Sequence, residues 1–367
     1  MRYIWHHINT IIETYKGDIP LAHFLKNYFK QFPILGSRDR KILSAMAYTW
    51  YRCRKGIAND ELLNGMLAQW LNEQKLLNTS LPELLANCPF DLNTLFPYDI
   101  TLSAGINKEE WLRSMLVQPD LFIRIRKDNG KIISLLNSLQ IPFTFITDNC
   151  LALPNGAKID ALLPIESYVV QDASSQRTGA YFIPKKNEQW WDCCAGAGGK
   201  SLLLKDLEPG VRLTITDIRG SIIHNLQKRF RLYSHILPVA HIIDVADKEQ
   251  LDKTIGDKQF DHIICDAPCS GSGTWSRTPE QMYFFDPDTL PAFSALQKTI
   301  AINVFRHLKP GGRLIYITCS VFRIENEQVI EEITKQTGLT LVTSELINGV
   351  NIHADSMFVA VMKKTGK

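Results

Sequence analysis

The chain has 367 residues, of which 45% are hydrophobic and 22% charged, and its formal net charge is +3. That balance supports a large core divided among two or three domains, and excludes a low-complexity chain. No apolar run approaches the roughly 18 residues of a membrane span, and the start, MRYIWHHINTIIETYKG, has no signal-peptide centre, so a cytoplasmic protein without a membrane partner is expected. The eight cysteines follow no regular spacing and are expected as free thiols rather than a disulfide framework.

From the start to about residue 110 the pattern is helical, broken near Gly17, Pro33 and Gly36. RDRKILSAMAYTWYRCRKG sets Ile42, Met46, Trp50 and Cys53 on one side at helical spacing, and ELLNGMLAQWLNEQ follows as a second amphipathic run. Residues 1–60 carry ten Lys/Arg against four Asp/Glu, a net of +6, whereas residues 61–110 carry two against seven, a net of −5. The asymmetry marks either a basic surface for nucleic acid or a solvated helix face. Arg52, Arg54 and Lys55 are the candidates for contact at such a surface.

From about residue 120, LFIRIR and PFTFIT read as strands, NGKIISLLNSLQ as a helix and LPNGAKI as a turn, which makes a small α+β unit. Beyond Tyr168, strands at Trp190–Cys193, Arg212–Thr216, Val239–Ile243, Phe260–Cys265, Arg313–Thr318 and Phe358–Met362 alternate with helices. The expected fold class is α/β: a Rossmann-like, doubly wound, mostly parallel sheet, preceded by the small α+β subdomain and the helical bundle. The boundaries fall at 1–110, 111–165 and 166–367.

The first large-sheet strand runs into DCCAGAGGKS. Small residues from Ala195 to Gly199 allow close backbone approach to a ligand, and Asp217, at the next strand end, can accept hydrogen bonds from ribose hydroxyls. The glycines at 196, 198 and 199 fit neither the dinucleotide pattern nor the P-loop. A nucleotide-dependent oxidoreductase is disfavoured for that reason. S-adenosylmethionine suits the loop better: it has no phosphate, and Asp192 is placed to face its ammonium. Asp244 is set either to reach the adenine or to cap a helix.

FDHIICDAPCSGSG and GGRLIYITCS each end a strand near a cysteine, Cys269 and Cys319. In an open parallel sheet both strand ends share the cofactor's crevice. A thiolate there can add to carbon 6 of a pyrimidine and so activate carbon 5 towards a methyl donor, while Asp266 hydrogen-bonds the base. Cys193, Cys194 and Cys265 read as packing residues. No metal is expected, because these cysteines lack paired C-x-x-C spacing and a nearby histidine.

These motifs resemble the Sun (Fmu) family of S-adenosylmethionine-dependent RNA cytosine-5 methyltransferases. The resemblance runs through VQDASSQ, CAGAGGK, Asp217, Asp244, DAPCSGSG, Arg277, Pro279, LKPGG, TCS and ENE, over roughly half the chain and in the family's order. It implies Cys319 as nucleophile, Cys269 in product release and Asp266 at the base and cofactor. Cys194, Ala195, Gly196, Ala197, Gly198, Gly199 and Lys200 would hold the cofactor with Asp217 and Asp244, and Arg277 would contact RNA, most simply ribosomal RNA. The ENE acids and Gln171-Asp172 are read as caps or packing. DRKILSAMAYTWYR is similar to the NusB-type RNA-binding domain of some members.

Gly196 and Ala197 stand where the family loop has Ala and Pro, so a less rigid loop and weaker cofactor binding are expected. The C-terminal end is shorter than the family's, which leaves target choice to residues 1–165. The rivals are a non-catalytic RNA-binding assembly factor, a transfer RNA methyltransferase, and a DNA cytosine methyltransferase, whose nucleophile would lie in the fourth-strand Pro-Cys turn.

Overall fold

The computed structural model describes residues 2–366, packed as two compact units. The first comprises Met1–Ile100, Asn107–Gln118 and Thr274–Pro287, and the second Thr101–Ile106, Pro119–Gly273 and Asp288–Lys367. The helical segment read as 1–110 is thus joined by later stretches of chain.

The first unit holds α1 (Arg2–Thr14), α2 (Leu21–Gln31), α3 (Ser37–Cys53), α4 (Asp60–Asn72), α5 (Leu81–Leu85), α6 (Lys108–Ser114) and the short α12 (Pro279–Tyr283). Helix α4 starts where the Asn59 side chain accepts the Leu62 amide, an N-cap that satisfies an otherwise orphaned donor. Helix α3 buries Leu43, Met46, Ala47, Trp50 and Tyr51 on one face. Met46, Trp50 and Cys53 are buried as their spacing predicts, and Ile42 is half-buried.

Arg52 is the correction in this unit. It is only 3% exposed, and its guanidinium donates to the Met115 carbonyl, to Ser276 O at 2.8 Å and to Gln118 Oε1 at 3.0 Å. Burial pulls its pKa down to about 10, so it is still charged at neutral pH. A charged group buried with its donors engaged cannot neutralise a phosphate, so Arg52 leaves the RNA-contact set. Arg54 pairs with Asp60 and donates to Ile57 O, while Lys55 donates to Met282 O and lies 5.5 Å from the Tyr283 ring centre. Both are half-buried and serve packing within the unit. Lys26 and Lys30 on α2, and Arg38 and Lys41 on α3, are among the exposed basic residues of the unit.

The second unit contains two sheets. Strands β1 (Leu121–Ile125), β2 (Thr144–Thr147), β3 (Cys150–Leu153) and β4 (Tyr168–Val170) form an antiparallel sheet in the order β2-β3-β1-β4, with α7 (Asn129–Ser138) packed by Ile132 and Leu136. Cys150–Leu153 is a further buried strand leading into the predicted turn, and Tyr168–Val170, beyond the boundary drawn at residue 165, pairs with β1 of this small sheet.

The large sheet has the order β10-β11-β9-β8-β5-β6-β7, from β5 (Gln189–Asp192), β6 (Arg212–Asp217), β7 (Val239–Ile242), β8 (Phe260–Asp266), β9 (Leu308–Thr318), β10 (Thr340–Ile347) and β11 (Met357–Lys363). Its first five strands in chain order run parallel, and β10 and β11 are antiparallel additions at one edge. Helices α8 (Ala173–Arg177), α9 (Gly199–Leu207), α10 (Gly220–Leu232), α11 (Lys248–Ile255), α13 (Leu290–Phe305) and α14 (Glu327–Thr337) complete the unit. Neighbouring residues split between two cores: Trp191, Ile263 and Tyr316 in one, Trp190, Ile264 and Ile317 in the other. That period of two, apolar on both faces, is what a doubly wound sheet requires. Among the described residues no helix is long and apolar enough to cross a membrane.

Replacing Arg52 with Ala strands several carbonyl acceptors and should cost roughly 2 to 5 kcal/mol of unfolding free energy. Urea melts of the full chain measure this, and a loss below about 0.5 kcal/mol would mean that its hydrogen bonds add nothing net.

Candidate active site

Strands β5, β6, β8 and β9 end along one edge of the sheet, at Asp192, Asp217, Asp266 and Thr318. A cavity of about 450 Å³ opens there. Cys194, Asp217, Asp244, Asp266 and Cys269 supply its polar lining, and Ile218, Ile243, Leu296 and Ile300 an apolar wall. Two other cavities, of about 330 and 480 Å³, lie beside Arg124 and Asp206 and beside Lys205 and Pro238. Neither brings acids from strand ends together with the paired cysteines.

The cysteine pair is the centre of the site. Cys269 and Cys319 arrive from different strands, yet their sulfurs stand 3.3 Å apart. Their turns are threaded closely: the Gly273 amide donates to Cys319 O and the Ser356 amide to Gly273 O, each at 2.9 Å. A Cβ on Gly273 would stand 2.0 Å from Ser356 O, so only glycine fits this crossing. The Cys269 thiol is pushed well above its ordinary range by its hydrogen bond with Cys319, by burial and by the nearby Glu325 charge.

Lys200 lies below the pair, with Nζ 2.9 Å from Asp266 Oδ2. Burial opposes its charge, but Asp266 and Cys319 outweigh that and raise its pKa, so an ammonium is fixed beside Asp266. Asp217 accepts the Gly196 amide at 2.9 Å and the Arg219 guanidinium at 3.0 Å. Burial opposes its ionisation, and the hydrogen bonds from Arg219 and Gly196 win, keeping the carboxyl below its usual range. Ribose hydroxyls would therefore meet an ionised acceptor already held by Arg219. Asp244 lines the cavity, and its carboxylate accepts the Ala246 amide, while the cap of α11 is Asp247.

The loop itself contributes differently from what its sequence suggests. Cys194 lines the cavity, Ala195 and Lys200 are buried, and Ala197 is exposed. Gly196 and Gly198 adopt positive φ, 50° and 83°, and Gly198 sits against Leu226, so side chains are excluded there. Arg229 on α10 donates to Ala197 O and ties the loop down. Asp192 does not face the crevice: it is fully buried and accepts the Ser201 hydroxyl at 2.6 Å. Cys193 and Cys265 are buried, in keeping with a packing role. Arg277 lies in the Thr274–Pro287 segment of the helical unit.

Arg219 was not singled out by the sequence reading, and Glu325, one of the ENE acids, was read only as a cap or packing residue. Glu325 has no exposed surface and accepts the Ser270 amide, the Ser270 and Ser320 hydroxyls and the Gln297 amide. The signal available was a glutamate six residues past Cys319, with serines flanking both cysteines.

The residues present fit an adenosine-bearing cofactor. Two strand-end acids stand where hydroxyls and an adenine edge can be held, and aliphatic side chains flank a slot for a flat base.

Burial lifts the Asp192 carboxyl from 3.8 to about 7, against the Ser201 hydrogen bond. The native state then retains a proton that the unfolded state releases, so stability falls as pH rises through that window. An Asp192→Asn variant lacks this penalty. Its stability relative to the parent should rise between about pH 4 and pH 7, by at most about 4 kcal/mol. Parallel melts across that range test it, and a flat difference would contradict the raised pKa.

Comparison with known proteins follows the same geometry. The family model described as 16S rRNA methyltransferase RsmB/F matches residues 180–363, half of the chain. Ribosomal RNA small subunit methyltransferase B of Enterobacter sp. (strain 638) is 28% identical over 291 residues, 75% of this chain and 65% of the relative. The chain thus spans just under two thirds of that relative's length. Among solved structures, PH0851 superposes over 94% of this chain and 95% of its own with a TM-score of 0.72 at 17% identity. NSun6 from Pyrococcus horikoshii with SFG covers 79% and 98%, with a TM-score of 0.63 at 13% identity. At those identities the two structures bear on the fold alone, and it is the match over residues 180–363, enclosing the cofactor loop and both cysteines, that decides membership: the chain belongs to the 16S rRNA methyltransferase RsmB/F family.

Proposed function

We propose that the chain is an S-adenosylmethionine-dependent RNA cytosine-5 methyltransferase acting on ribosomal RNA. The observation that carries the reading is the 3.3 Å approach of Cys269 and Cys319 beside Asp266, at the rim of a cavity suited to adenosine. The relatives' names, given for small-subunit ribosomal RNA methyltransferases, support the choice of RNA. A cytoplasmic location follows from that substrate.

When bound, the cofactor supplies an electrophilic methyl group on a sulfonium. Asp217 and Asp244 would hold its adenosine, and Ile243 and Ile300 would flank the base. The target cytosine must leave its stack to reach the crevice, a step that looped RNA makes cheap. Cys319 adds to carbon 6 through its sulfur, and the electron pair displaced from the 5,6 bond makes carbon 5 nucleophilic. Asp266, held by Lys200, borders the base and accepts a hydrogen bond from its exocyclic amine, which orients the ring for addition. After transfer the carbon 5 proton leaves, the 5,6 double bond reforms and the carbon–sulfur bond breaks. Cys269 assists that elimination directly or through a water.

RNA is drawn to the helical unit by Lys26, Lys30, Arg38 and Lys41, exposed residues of its basic N-terminal stretch, in a NusB-like role, with Arg277 as a further contact.

The two cysteines should separate cleanly on a denaturing gel with labelled RNA and S-adenosylmethionine. Cys319→Ala should abolish methylation and form no adduct. Cys269→Ala should complete transfer and accumulate a protein–RNA covalent complex. The reverse pattern would transfer the nucleophile's role to Cys269.

Reversing Lys30, Arg38 and Lys41 to Glu should weaken RNA binding and lower the slope of log affinity against log salt by about two, at roughly 0.7 per lost contact to single-stranded RNA. An unaltered slope, measured by filter binding over a salt series, would leave these residues as a solvated face.

A further inference from the structure

Hydrogen bonding between β8 and β9 runs to the pair Asp266–Ile317, and both cysteines lie beyond that point. Strand pairing therefore brings the two turns alongside one another but does not by itself set the distance between the sulfurs. Direct links join the turns, from the Gly273 amide to Cys319 O and from the Val321 amide to Ser272 Oγ, each at 2.9 Å, and a further tie grips the residues next to the sulfurs.

Glu325 is placed to be that tie. Its Oε1 accepts the Ser270 amide at 2.8 Å and Gln297 Nε2 at 3.1 Å, and its Oε2 accepts the Ser270 hydroxyl at 2.6 Å and the Ser320 hydroxyl. Ser270 follows Cys269 and Ser320 follows Cys319, so one carboxylate grips the residue after each cysteine. Gln297 also donates to Pro268 O, just before Cys269. The neighbouring Asn326 accepts the Thr318 hydroxyl at 2.6 Å and donates to Ser320 O at 2.8 Å, securing the second turn from the other side. The Tyr316 hydroxyl donates to Glu325 O at 2.7 Å, which anchors the clamp itself to β9.

Why an acid stands here follows from the inventory of donors. Four donors converge on two oxygens, and an ionised carboxylate offers acceptors only, enough for all four. A buried carboxylate so saturated is tolerated where an unpaired one would be costly.

We propose that Glu325 is a positioning residue for methyl transfer, its buried carboxylate clamping the Ser270 and Ser320 turns so that the Cys269 and Cys319 sulfurs meet over Asp266. The role rests on the methyltransferase reading only for its consequence in catalysis. The clamp can be read without RNA.

The first measurement uses diamide, a thiol-oxidising azo compound, on the full chain. Two thiols give up two protons and two electrons, the azo bond is reduced to a hydrazine, and a Cys269–Cys319 disulfide forms, followed by peptide mapping. The parent protein should form it readily, because its sulfurs already lie within reach of bonding distance. Glu325→Ala should slow its formation by about tenfold or more, since exchange and ring closure depend on that approach. Glu325→Gln, which keeps the shape and can still accept the Ser270 amide, should stay within about threefold of the parent.

The second measurement is methylation of unmodified small-subunit ribosomal RNA. Glu325→Ala should lower kcat by about a hundredfold with the KM for S-adenosylmethionine within about threefold, as expected for a misplacement of reacting groups near 1 Å. Glu325→Gln should recover at least about tenfold of that loss. If Glu325→Ala does not fold, the double change Ser270→Ala with Ser320→Ala cuts the same grip and carries both comparisons. Disulfide formation and kcat both within about threefold of the parent in Glu325→Ala, or in the serine pair, would overturn the clamp. A parent protein that methylates no RNA would sink the functional reading instead, and the diamide comparison would still decide the role of Glu325.

Discussion

Parallel pairing of β5, β6, β8 and β9 is the constraint from which the site follows. Because the strands point the same way, the chain leaves each at the same edge, and residues far apart in sequence are delivered to one crevice. Asp192 pairs with Ile264 and Asp266 with Ile317, so a slip of one residue between β8 and β9 would exchange which side chains face each core. Tyr316 and Ile317 belong to opposite cores, and both are fully buried. The apolar packing that stabilises the sheet therefore also fixes where its polar ends come out.

Charge at that edge is arranged in pairs whose members have different depths. Lys200 is deep and Asp266 shallower, while Asp217 is deep and Arg219 exposed. In each case the buried member is held in its charged form by a partner nearer the solvent, which offsets part of the desolvation cost. Asp192, fully buried and with Lys200 the least of the influences on it, takes the other solution: burial pushes its carboxyl up to about 7. What separates the two acids is burial and one neighbouring guanidinium.

Much of this arrangement was legible in the sequence because parallel strands buried on both faces leave short apolar runs, and because turn residues flank them. Cys269, Cys319, Asp217 and Asp266 could be placed from strand ends alone. Strand β10 escaped because it is an edge strand: Thr340–Glu345 are largely exposed, and no alternation of apolar and polar residues marks them. Arg52 misled for the opposite reason. A basic residue next to two others reads as surface charge, and only the fold shows that three acceptors close around it. Asp192 and Glu325 show the same limit. Sequence gives the identity of an acid and its distance along the chain, but not whether it faces solvent, a cavity or a set of donors.

The helical unit has a consequence for how the chain is made. Its rings pair across a long gap in sequence: Trp50 and Tyr51 lie 5.3 Å from Tyr283, Phe96 lies 6.0 Å from Trp275, and the Leu21 amide donates to Glu280. At roughly 5 to 20 residues per second, the stretch between Gln118 and Pro287 takes on the order of 10 to 30 seconds to synthesise. For that interval the nascent helices carry aromatic faces with no partner and a guanidinium short of one acceptor. Translation itself therefore spaces out the unit's assembly, and the unfinished bundle presents chaperones with an apolar surface that disappears when the later segment emerges.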